Sequence, residues 1–172
     1  PYEFYQPYME TIAAQFDALR MTPALTSAHL FLTMLVAAWI AGHSISIRDR
    51  IGIGGVLMAA AILQTAIIAV MYFFVTIPAA IFTLLRSCPR ALMTAPLNAA
   101  VAPSINTSLR ATYLSLQSMA GRLCFAGTLA WFSSMAVGED WAPLASMLAA
   151  GAWLGAGSIL VLALALPALR RS

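Results

Sequence analysis

Lysine is missing from this chain, and charge of either sign is scarce. Nine basic residues, every one of them Arg, and six acidic residues make only 9% of the 172 residues charged, against a hydrophobic share of 62%. Soluble domains carry roughly a quarter of their residues as charged side chains, so this chain has too little polar surface for a water-exposed globule. A separate catalytic or nucleic-acid-binding domain is thereby excluded, and nucleic acid is not an expected partner. The net charge of +3 is spread along the chain and gathers in no patch. Cysteine is also rare: Cys88 and Cys124 lie inside apolar stretches without metal-ligand or redox spacing and read as small buried residues. His29 and His43 stand alone, with no carboxylate or Cys at ligand spacing, so neither a metal nor a cofactor is expected. There is no G-x-S-x-G, and neither His is placed in sequence to activate a serine, which leaves an intramembrane hydrolase without its nucleophile and base. The expectation is a protein that is not an enzyme. The opening Pro1-Tyr2-Glu3-Phe4 has no Met and no basic-then-apolar signal pattern, which predicts a chain that begins inside a longer protein.

What the sequence does contain is apolar length. The mean hydropathy is +0.87, and at about 20 residues per crossing the chain holds five or six helices joined by short turns. The fold class is therefore all-α, a polytopic transmembrane helix bundle in the lipid bilayer. The predicted spans are 1–16 (partial), 23–47, 51–70, 78–105, 108–137 and 143–166. In the first, Glu3, Gln6 and Glu10 share one helical face and Pro7 is placed to bend it. The span 51–70 has almost no polar atoms apart from Gln64 and Thr65. The span 78–105 holds Arg86, Arg90 and prolines at 89, 96 and 103, which should kink or unwind it. Gly151 and Gly155 form a G-x-x-x-G helix contact in the last span.

Orientation follows from the arginines. Alternating the sides puts Arg48, Arg50, Arg110, Arg170 and Arg171 together, and leaves Arg20 opposite with Asp17, Glu139 and Asp140. The positive-inside rule makes the Arg-rich side, and with it the C-terminus, cytoplasmic. Lys-free, Ala- and Arg-rich usage points to a bacterial inner membrane. A rival topology merges parts of 51–85 and places Arg86 and Arg90 in a loop, but it leaves only residues 91–105 for the next crossing, which is short.

The stretch from Ile105 to Phe125 organises the rest. Asn106, Thr107 and Ser108 can cap a helix start. Ala111, Ser115 and Ser118 then put small side chains on one face, where another helix can approach closely. Arg122 continues that face, roughly 18 Å beyond Arg110 at 1.5 Å per residue. Arg110-Ala111-Thr112, Ser115, Ser118, Gly121 and Arg122-Leu123 resemble the start of the eleventh helix of major facilitator superfamily transporters. Asp49-Arg50-Ile51-Gly52 resembles the core of the superfamily's D-R-x-G turn between the second and third helices of each half. It departs from the fuller pattern where Ile45 replaces a leading Gly and Ile53-Gly54 replace a trailing basic pair.

The resemblance implies the C-terminal half of a secondary transporter, helices seven (truncated) to twelve, with the N-terminal six-helix half as missing partner. It further implies alternating access for a small solute, often coupled to an ion or proton gradient. Helices seven and ten line the family's cavity, and here they hold Glu3, Tyr5, Gln6, Glu10, Arg86 and Arg90 as candidate site residues. Arg86 and Arg90, one helical turn apart, could clamp an anionic or zwitterionic solute, or could pair structurally with Glu3 or Glu10. Either carboxylate could instead titrate as a proton site. Ser115, Ser118 and Arg122 read first as helix-locking residues, with Arg122 alternatively touching solute or the absent half. The competing classes are a self-assembling six-helix channel and a membrane scaffold that transports nothing.

Overall fold

In the computed structural model, residues 9–11, 14, 22–74, 76–134 and 141–169 are described. Among them every regular element is helical: α1 (Thr22–Phe73), α2 (Ile77–Phe82), a 3-10 turn (Thr83–Ser87), α3 (Cys88–Val101), short 3-10 turns at Ala102–Ser104 and Thr107–Leu109, α4 (Arg110–Ser133) and α5 (Trp141–Leu169). Two of these helices are long and apolar enough to cross a membrane, over Pro23–Phe73 and Leu144–Pro167.

α1 is two arms rather than one rod. Gly52 has φ 73° and ψ 167°, a combination essentially confined to glycine. Packing shows that the chain reverses there. His29 bonds the carbonyl of Ala80, while Ile67 and Met71 pack in one cluster with Ala79 and Ala80. Along an unbroken helix His29 and Met71 would be about 63 Å apart. Ile40 and Ile47 of the first arm likewise pack against a cluster formed by Val56 and Ala60 of the second arm with Leu92. Of the turn expected over Arg48 to Gly52, Arg48, Asp49 and Arg50 remain helical, and the break falls on Gly52, where the missing Cβ allows it.

The proline-rich segment, expected to kink or unwind, is broken at one place. Its α-helix gives way to a 3-10 turn at Thr83, and Cys88 N–H closes that turn on the carbonyl of Leu85. Pro89 explains the position: it has no N–H to donate to Leu85, and its ring crowds that carbonyl. A helix can restart at once, because proline suits a first turn. α3 then packs Leu92 and Met93 against both arms of α1.

α5 lies antiparallel to the second arm, with Gly155 against Thr65, Gly151 against Ile68, and Leu166 against Gly54. α4 joins through its C-terminal end, where Phe132 is buried. Phe125, Thr128 and Phe132 there face Ile68, Leu148 and Gly151 across an apolar cavity of about 240 Å³. Earlier residues of α4 are exposed, Ser115, Ser118 and Arg122 among them.

Candidate functional site: a buried arginine at a helix break

Arg86 sits inside the 3-10 turn and is only 4% exposed. Its Nη1 donates to His29 Nδ1 at 2.9 Å and to Thr33 Oγ1 at 3.1 Å, across to the first arm of α1. Since a guanidinium can only donate, His29 Nδ1 must accept. The ring is therefore the neutral Nε2–H tautomer. Nε2–H then donates to the Ala80 carbonyl at 2.9 Å, with Thr83 Oγ1 a second acceptor at 3.1 Å.

Both hydroxyls are oriented by their own helices. Thr33 Oγ1 donates back to the carbonyl of His29 at 2.8 Å, and Thr83 Oγ1 to that of Ala80 at 2.7 Å. These local bonds use up the hydroxyl protons and turn the oxygen lone pairs toward Arg86 and His29. Thr26, His29 and Thr33 lie at i, i+3 and i+7 on one helical face, and the last two of them reach the break. The Thr26 hydroxyl is also buried and has no hydrogen-bond partner among the described residues. Hydrogen bonds from a charged donor are worth roughly 1.5–3 kcal/mol each, so the two to His29 and Thr33 help to offset the burial of this guanidinium.

The residues singled out from the sequence part company here. Arg86 is the buried centre, whereas Arg90 is exposed and stands outside the cluster. Glu10 is exposed as well, while Glu3, Tyr5 and Gln6 fall outside the described residues, as do Asp17, Arg20, Glu139, Asp140, Arg170 and Arg171. Asp49 pairs with Arg48 at 2.7 Å on the surface, beside Arg50 and the reversal at Gly52. His43 is exposed and donates Nδ1–H to the Trp39 carbonyl at 2.8 Å. The residues that sequence reasoning passed over are His29, Thr33 and Thr83. Their signal was present as polar groups at i, i+4 (His29, Thr33) and i, i+3 (Thr83, Arg86) in otherwise apolar stretches, but a lone histidine gave no hint of its partner 57 residues away.

The arrangement sets a buried guanidinium against the neutral groups of His29 and Thr33 at a point where regular helix stops. No family model, curated protein or solved structure matches the chain.

Proposed function

We propose that the chain is the C-terminal half of a membrane transporter of the major facilitator type, moving a small anionic or zwitterionic solute by alternating access. The observation that carries this reading is the buried Arg86 at the break between α2 and α3. Transporter solute sites lie near the bilayer midplane and are typically formed by discontinuous helices, and an ionisable residue at membrane depth is a functional candidate by default. Supporting it are the chain reversal at Gly52 beside Arg48, Asp49 and Arg50, and the exposed face of α4, where Ser115, Ser118 and Arg122 would meet the second half. On this reading six spans lie in the inner membrane, with the C-terminus cytoplasmic.

The test is uptake into proteoliposomes by the complete gene product, using labelled anionic, zwitterionic and neutral solutes with and without Arg86→Ala. Loss of anion uptake in the variant, with the protein still folded, is the expected result. Anion uptake unchanged by Arg86→Ala would refute the assignment of Arg86, and no flux of any solute would favour the scaffold.

A further inference from the structure

We propose that His29 is the positioning residue for Arg86, fixing the guanidinium at the helix break through an acceptor bond that only its Nε2–H tautomer can make. Its role in solute recognition rests on the transporter reading above; its geometry does not.

One imidazole spans the whole break. Its Nε2–H reaches the Ala80 carbonyl in α2, before the 3-10 turn, while its Nδ1 accepts a hydrogen bond from Nη1 of Arg86 within that turn. The two bonds depend on each other. Anchoring Nε2–H on Ala80 and Thr83 decides which nitrogen keeps the lone pair, and that lone pair is what Arg86 meets. Thr33 contributes a second acceptor from the same arm, so two groups of the first arm lie 3.1 Å or less from Nη1. Arg86 is thus placed by α1 as much as by its own segment. A movement of the first arm against the break would have to carry Arg86 with it or release it.

Two substitutions separate positioning of Arg86 from simple stitching of the helices. His29→Asn keeps an acceptor near the Nδ1 position but cannot reach Ala80. His29→Gln keeps a donor near the Nε2 position but offers Arg86 nothing. The probe is phenylglyoxal, which labels arginine, with Arg86 and Arg90 compared in one digest so that exposed Arg90 normalises the reaction. Arg86 should be protected in the wild-type protein and in His29→Asn. In His29→Gln its relative labelling should rise roughly tenfold, the scale of one hydrogen bond to a charged group. Any other pattern overturns the proposal, the reverse order in particular, which would make His29 a stitch to Ala80. Nitrogen-15 NMR of histidine-labelled wild-type protein needs no variant: a protonated Nε2 and bare Nδ1 at His29 are expected, and an Nδ1–H ring overturns the assignment. Neither readout involves flux, so failure here is distinct from failure of Arg86→Ala to abolish uptake.

Discussion

Gly155→Ala should destabilise the bundle although alanine is the better helix former. A Cβ at Gly155 would lie 3.0 Å from both Cβ and Cγ2 of Thr65 and closer still to its Oγ1. Thr65 cannot easily turn aside, because its hydroxyl donates to the Ala61 carbonyl at 2.8 Å and its β-branched side chain has few helical rotamers. Overpacking costs about 1–3 kcal/mol, and losing the Thr65 bond adds about 1 kcal/mol. Replacing glycine within a helix returns about 0.5–1 kcal/mol. The net expectation is a loss of roughly 1–3 kcal/mol. Gly157 supplies the control, since nothing lies within 4 Å of a Cβ built there, and Gly157→Ala should leave stability unchanged or raise it slightly. Denaturant unfolding in detergent micelles, followed by helical circular dichroism, measures both. The added variant Thr65→Ala removes Oγ1 and Cγ2 and should make Gly155→Ala markedly less harmful, a coupling read from the double-mutant cycle. Equal stability of the Gly155→Ala and Gly157→Ala proteins would refute the close approach of α5 to the second arm of α1.

Two further substitutions probe the reversal. Gly52→Ala puts a Cβ where φ is 73°, and should cost about 1–3 kcal/mol with a lower yield of folded protein; full wild-type stability would show that the chain turns elsewhere. Asp49→Asn removes the exposed ion pair with Arg48 and should shift stability by no more than about 1 kcal/mol, so a large loss in the same unfolding assay would mean that Asp49 has a deeper role.

How far the sequence was legible depends on how local the cause is. Apolar length and scarce charge were enough to predict helices, because burial of long apolar runs needs no knowledge of neighbours. Prolines at 89, 96 and 103 announced an irregular segment, and the irregularity sits immediately before Pro89, where the absent N–H has its effect. The turn was expected over Arg48 to Gly52, with Gly52 as the residue able to adopt unusual angles, and of these only Gly52 leaves the helix. The polar side chains there remain compatible with helix; only the glycine releases it. Arg86 and Arg90 looked equivalent at one turn's separation, yet one is buried and the other exposed. Their difference comes from the first arm of α1, which covers only one of them.

By itself, then, the sequence determined the class of structure: helical, apolar, broken near its prolines and its charged turn, with an arginine too costly to bury idly. Tertiary structure alone decided which arginine is buried, which tautomer His29 adopts, and that Thr33 and Thr83 complete the site. Helix formation is driven within a few residues of each position, whereas a hydrogen bond between residues 29 and 86 exists only after the chain has folded back at Gly52 and set the first arm of α1 beside the break.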